Sequence, residues 1–191
     1  MKRIRLGSES ERRGVSQERL AEYVRKLTPL INCKTVWTKN GENREEFENF
    51  YRLLDELFPN LAGKAEKLTF GTGCFFYIIK GKNAKKNLLL MSHHDVVDGD
   101  GSWTTDPFCA TVKDGYLYGR GTIDTKTPLF GELCAVEELI SEGYDFEGIN
   151  LYIGSSDNEE VSGDGMLLAA KYFKERGIRF DTVLDEVPTM T

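Results

Sequence analysis

The chain's only two histidines stand together in Met91-Ser92-His93-His94-Asp95, directly after the apolar run Asn87-Leu88-Leu89-Leu90-Met91. That run reads as a buried strand, and an α/β fold puts its chemistry at the carboxyl ends of its strands. Alternate residues of a strand share a face, so His93 and Asp95 point one way and His94 the other. An imidazole with a carboxylate two positions on has the make-up of a metal ligand and its orienting partner. In isolation such a pair is more often the polar start of a loop. Further carboxylates change the balance. A run at 150–155 leads to Glu159-Glu160, and one at 182–184 leads to Asp185-Glu186. Asp124 follows a tight Gly119-Arg120-Gly121 turn just ahead of a helix. Several carboxylates converging on one sheet edge repel unless a cation lies among them. Histidine and carboxylate ligands with open positions suit zinc, with manganese or cobalt as substitutes. Two metals sharing a bridging carboxylate is an arrangement that activates water for hydrolysis.

The elements that must position these residues follow from periodicity. Ser16 can cap a helix over 17–30 with Leu20, Tyr23, Val24 and Leu27 on one face. A second helix over 44–57 carries the stripe Phe47, Phe50, Tyr51, Leu54 and Leu57, and Pro59 is expected to stop it. Strands are expected over 65–70 and 74–80, joined by Gly71-Thr72-Gly73. Lys113-Asp114-Gly115 marks a hairpin. Pro128 opens a helix to about Ser141 with Leu129, Leu133, Val136 and Ile140 facing inward. A helix over 163–176 follows the 150–155 strand. Alternation of strand and helix in the second half indicates an α/β layered fold. Residues 1–14 are polar and read as a flexible arm.

Composition excludes several classes. The net charge of −6 argues against a nucleic-acid partner. No apolar stretch is long enough to span a membrane, and no apolar segment of a signal peptide opens the chain. Cys33, Cys74, Cys109 and Cys134 form no Cys-x-x-Cys pair. They read as reduced thiols, and cytoplasm is the expected location. Gly71-x-Gly73 is not a dinucleotide loop, because a strand rather than a helix follows. The Asp98–Asp106 loop lacks the glycine and the glutamate of a calcium loop.

The boxes taken together resemble one family. Met91-Ser92-His93-His94-Asp95-Val96-Val97 is similar to the His-x-Asp-Val-Val signature of the two-zinc aminoacylase and carboxypeptidase family of metallopeptidases. Trp103-x-x-Asp106-Pro107-Phe108 and the run from Asp114 to Lys126 resemble its second signature. Asn158-Glu159-Glu160-Val161-Ser162-Gly163 resembles its paired-glutamate box, and Val183-Leu184-Asp185-Glu186 its next strand end. The carboxypeptidase S-like branch is nearest in wording and spacing. The resemblance implies a three-layer α-β-α sandwich with a mixed, mostly parallel sheet. It implies hydrolysis of an amide or peptide bond in a small peptide or N-acyl amino acid by a metal-bridging hydroxide. His93 and Glu186 would bind one zinc, Glu160 the other, and Asp124 would bridge both. Glu159 would be the general base and Asp95 the partner that orients His93. Asp185 remains a rival to Glu186. A cis peptide is expected between Asp124 and Thr125.

Thr125, Asn158, Ser162 and Val187 depart from the family's usual Asp, Asp, Gly and Gly. Family members also run on for about as long again, through a lid or dimerisation domain and a second histidine ligand. Residues 15–191 are therefore expected to be the amino-terminal portion of the catalytic domain, and the sandwich to be incomplete. That portion is expected to hold at most one zinc tightly, to hydrolyse little, and to self-associate through uncovered surfaces. The alternative function is a catalytically incompetent, metal-binding fragment. A plain binding module with an acidic surface would require all the boxes to be coincidence.

Overall fold

A computed structural model describes residues 3–5 and 15–186. In chain order the elements are β1 (Arg3–Arg5), α1 (Gln17–Asn32), α2 (Arg44–Leu57), α3 (Pro59–Lys64), β2 (Glu66–Phe70), β3 (Cys74–Ile79), β4 (Lys86–His93), β5 (Thr111–Lys113), β6 (Tyr116–Tyr118), α4 (Lys126–Ser141), β7 (Ile149–Ser156), α5 (Asp164–Glu175) and β8 (Thr182–Asp185). Ser16 caps α1 by accepting the Arg19 amide at 3.1 Å, which satisfies one of the orphan donors of a helix start. Pro59 does not end the helical region. It takes the first position of α3, where its missing N–H costs nothing. Glu137 of α4 accepts the Asn60 and Leu61 amides at 3.0 and 2.8 Å and so caps α3 from across the layer.

Five strands form the main sheet in the order β2-β3-β7-β4-β8. β3 is antiparallel to both of its neighbours, β2 and β7, whereas β4 runs parallel to both β7 and β8. The sheet is thus evenly mixed, and its parallel part is the trio whose ends carry the acidic boxes. A smaller sheet, β1-β6-β5, pairs Arg3–Arg5 with Tyr116–Tyr118. Part of the segment expected to be a flexible arm is therefore a strand, and residues 6–14 lie outside the described residues. The β5–β6 hairpin turns through Asp114 (φ 53°) and Gly115 (φ 76°), the left-handed pair that a two-residue turn requires.

Helices cover both faces. Strand β3 shows how the sequence divides them, since Phe75, Tyr77 and Ile79 join the core under α1, α2, α3 and α4, while Cys74, Phe76 and Ile78 join the core under α5. That alternation is the period-two pattern of a strand buried on both sides. Helix α5 reaches the sheet closely because Gly165 has no side chain, and a Cβ there would come within 2.3 Å of the Cys74 Cβ. Among the described residues, no helix is long and apolar enough to cross a membrane.

Leu133 is fully buried in the larger core and Leu139 of the same helix is exposed. Leu133→Ala should lower unfolding free energy by about 2–5 kcal/mol through lost burial and the cavity left behind. Leu139→Ala should stay within about 0.5 kcal/mol of wild type. Denaturant melts monitored by circular dichroism check the contrast.

Candidate metal centre

The parallel trio brings three strand ends to one edge. β4 ends at His93, β7 at Ser156 ahead of Asp157-Asn158-Glu159-Glu160, and β8 at Asp185 ahead of Glu186. The loop before α4 delivers Asp124 to the same place. A cavity of about 350 Å3 opens there, lined by His93, Asp124, Glu159, Glu160, Asp185 and Glu186 among others. A separate hollow of about 290 Å3 lies under the 36–44 loop and is lined by none of the four expected ligands.

Asp95 organises the cleft. It is fully buried, and its two carboxylate oxygens accept the backbone amides of Glu159 and Glu160, each at 3.0 Å. The His93 Nδ1 lies 3.0 Å from the Asp95 carbonyl oxygen and 3.3 Å from its Oδ1. A carbonyl oxygen can only accept, so Nδ1 carries a proton and Nε2 is directed into the cleft, where a cation would replace its proton. One carboxylate thus orients the imidazole and holds the paired-glutamate loop beside it.

The result is a compact donor set. Ligand atoms of His93, Asp124 and Glu160 all lie within 4.8 Å of one another, and His93 Nε2 is 3.1 Å from Asp124 Oδ1. Glu159 Oε2 is 3.7 Å and Glu186 Oε1 4.0 Å from the same nitrogen. The triple joins ligands that the family resemblance assigns to two different metals, and Glu186 stands just outside it. Asp95 accounts for this, because the same carboxylate fixes His93 and the Glu160 backbone. Glu186, 12% exposed, points into the cleft beside His93, and its Oε2 is buried without a hydrogen-bond partner. Asp185 lines the same cavity and is exposed.

The electrostatics agree with a site built for a cation. Burial alone would lower the His93 pKa, but the hydrogen bond and charge of Asp95, with Glu186 and Glu159, outweigh it and raise the imidazole to about 9. Burial, aided by Asp185 against the pull of His93, raises Glu186 to about 7. Burial, with Asp124 next, raises Glu160. One imidazole of fixed orientation and several carboxylates that resist ionising side by side fit a divalent cation of the zinc type.

The other histidine has a different role. His94 is fully buried between Phe50 and Phe75, with ring centroids 5.1 and 5.3 Å away. It pairs with Ser155 Oγ at 2.9 Å and Tyr51 Oη at 3.1 Å. Burial holds its pKa well below the ordinary value, so it is neutral. The peptide between Asp124 and Thr125 is cis, as expected. Asn158 is buried and its amide donates to Ser162 Oγ at 3.1 Å, so two of the departures pair with each other. Val187 lies outside the described residues. Sequence reasoning missed Glu132 of α4. Burial, with Glu186 and Asp185 behind it, raises this carboxyl to about 8, and Ser92 Oγ lies 3.4 Å from it. Its place three residues after Leu129 and four before Val136 was the available signal, since i+3 and i+4 neighbours share the inward face.

A family model described as Peptidase family M20/M25/M40 matches residues 89–190. An N-fatty-acyl-amino acid synthase/hydrolase of Danio rerio is 31% identical over 90% of this chain and 35% of its own length. A succinyl-diaminopimelate desuccinylase of Polynucleobacter necessarius is 36% identical over 86% of this chain and 44% of its own. The chain therefore spans between about a third and a half of these relatives. Human carnosine dipeptidase 1 superposes with a TM-score of 0.72 at 19% identity, covering 87% of this chain and 38% of that one. An M20 family metallo-carboxypeptidase from Sulfolobus solfataricus gives 0.68 at 23%, covering 86% and 37%. At these identities the superpositions speak for the fold.

The raised values carry a sign for stability. Glu186 and Glu132 bind protons more tightly in the folded chain than their ordinary value of 4.5 allows, and His93 more tightly than 6.5. Each contribution is complete below the ordinary value and is lost as pH rises through about 7, 8 and 9 respectively. The metal-free chain should therefore melt at a lower temperature near pH 9 than near pH 5, and Glu132→Gln should flatten the decline. Melting curves of the two proteins that fall in parallel across this range would remove Glu132 from the account.

Proposed function

We propose, from the premise that this chain belongs to peptidase family M20/M25/M40, that it carries the metal-holding face of a metal-dependent hydrolase cleaving the amide bond of a small peptide or N-acyl amino acid. The observation that carries the reading is the His93–Asp124–Glu160 set within 4.8 Å at the carboxyl ends of parallel strands. His93 and Glu186 would hold one cation and Glu160 a second, with Asp124 between them. Zinc is the cation such a set favours, and cobalt or manganese are its substitutes. Bound there, the cation would supply Lewis acidity toward a carbonyl oxygen and toward water.

The chain's own groups divide the remaining work. Glu159 is the general base. Its backbone is pinned by Asp95, while its side chain is 56% exposed in the cleft, so it can take a proton from water and return it to the leaving amine. Glu160 is partly buried beside Asp124 and serves as a ligand. The relatives' printed names supply the substrate class. One acts on N-fatty-acyl-amino acids and another on succinyl-diaminopimelate, both acylated amines. Exposed Val183 and Leu184 on the edge strand β8 support self-association.

One observation favours the second reading, in which the chain binds metal without turnover. The sequence has two histidines and His94 is committed to the core, so a second cation would find no nitrogen donor in this chain. Metal analysis after dialysis should give at most one zinc per chain. Two zinc ions with steady turnover of an N-acyl amino acid would overturn that limit, and no zinc at all would overturn the metal reading. If hydrolysis of an N-acyl amino acid or dipeptide is detected, Glu159→Gln should abolish it, a loss of at least about 100-fold, and leave metal content unchanged. Loss of metal in that variant would refute the division between base and ligand.

A further inference from the structure

We infer that Thr125 is a positioning residue, which fixes the His93 backbone through a single hydroxyl and so sets the imidazole for metal binding. The inference rests on the metal reading above and adds a residue that the reading does not use. In a strand, the N–H and C=O of one residue point to the same side. His94, on the β7 side, donates its amide to Ser156 O at 2.9 Å. Met91 points to the β8 side, where its carbonyl accepts the Glu186 amide at 3.1 Å. His93 points that way too, one step beyond the last described pair of the β4–β8 ladder, Met91 with Asp185.

Thr125 meets both of its backbone groups. The His93 amide donates to Thr125 Oγ1 at 3.2 Å, and Thr125 Oγ1 donates to the His93 carbonyl at 2.9 Å. His93 and Thr125 are both buried, with Thr125 1% exposed. A buried amide or carbonyl left unmade costs the desolvation of that group. The hydroxyl therefore does for His93 what a neighbouring strand would do. It can do so because one hydroxyl is donor and acceptor at once. A carboxylate at the same place could accept the amide but would face the carbonyl with a second acceptor. Thr125 also lies directly between Asp124 and the first turn of α4. The same contact thus sets the spacing between the His93 backbone and the Asp124 backbone, whose side chains meet at 3.1 Å.

The test uses the whole chain and the pair Thr125→Ser and Thr125→Ala. Both are smaller than threonine, so neither overpacks the site, and only serine keeps the hydroxyl. The first readout needs no metal and is hydrogen exchange at the His93 amide, with the Leu89 amide as control. Serine should leave His93 exchange within about twofold of wild type, and alanine should accelerate it by at least about tenfold with Leu89 unmoved. The second readout is zinc affinity by competition with a chromophoric chelator. Alanine should weaken it about 10- to 100-fold and serine by no more than about threefold. Alanine exchanging as slowly as wild type would overturn the clamp. Faster exchange with unchanged zinc affinity would overturn the positioning role. If the wild type binds no zinc, the metal reading fails separately, and the 15N shifts of the His93 ring then decide. A hydrogen-bonded Nδ1–H kept by serine and lost by alanine supports positioning, and one kept by both refutes it. Should alanine fail to fold, Thr125→Val, which keeps the shape of threonine, takes its place with the same expectations.

Discussion

The cleft depends on one buried carboxylate. Asp95 has two oxygens, and each accepts a backbone amide of the Glu159–Glu160 pair. The imidazole of His93 lies against the same residue through Nδ1. These contacts join the end of β4 to the loop after β7, and the parallel pairing of the two strands brings them within reach. A buried carboxylate is costly unless hydrogen bonds satisfy it. The two amides do so, and their directionality fixes the loop as well. The donor set of His93, Asp124 and Glu160 follows from that geometry more than from any attraction among the ligands themselves, which include two like charges.

The adjacent histidines show how one strand serves two faces. His93 enters the acidic cleft and its pKa rises. His94 enters an aromatic cage of Phe50, Phe75 and Tyr51 and its pKa falls. The residue type is the same, and the side of the sheet decides the chemistry. His94 also braces the cleft from behind. Its carbonyl accepts the Thr35 hydroxyl at 2.6 Å, and the Val96 amide donates to Thr35 O at 2.9 Å. The segment after α1 thus holds the outgoing end of β4 on both sides of Asp95.

Much of this was legible in the sequence, for physical reasons that differ by residue. The order and type of the elements follow from strong periodicity, as in the aromatic alternation of β3 and the stripe of α2. The opposed directions of His93 and His94 follow from strand geometry alone. Other features were not legible. The helix of Pro59–Lys64 carries no signal distinct from a stop, because a proline that ends one helix is also well suited to begin another. The pairing of Arg3–Arg5 with β6 is a long-range contact between two three-residue segments, and no local pattern reports it. The grouping of Glu160 with His93 depends on Asp95 accepting backbone amides, and backbone donors leave no trace in a motif. Glu132 was hidden because a single acid among apolar helix positions looks like surface until the neighbouring strand ends are placed.

Three consecutive residues carry the last step of the synthesis. Asp124, Thr125 and Lys126 send their side chains in three directions. Asp124 reaches the acidic cleft and Thr125 the His93 backbone. The Lys126 ammonium, fully buried, donates to the carbonyls of Leu30 and Cys33 at 3.0 and 2.7 Å and lies 5.3 Å from the Phe50 ring. Those carbonyls lie at the end of α1, where intrahelical partners run out, and a cation there also complements the helix dipole. Burial pushes the Lys126 pKa down to about 8, yet even as a neutral amine it keeps two donors for two carbonyls. The turn that presents Asp124 is therefore anchored on one side to the central strand and on the other to a helix terminus. A carboxylate placed between two such anchors is held by packing and backbone hydrogen bonds, so its position does not depend on the charges it faces.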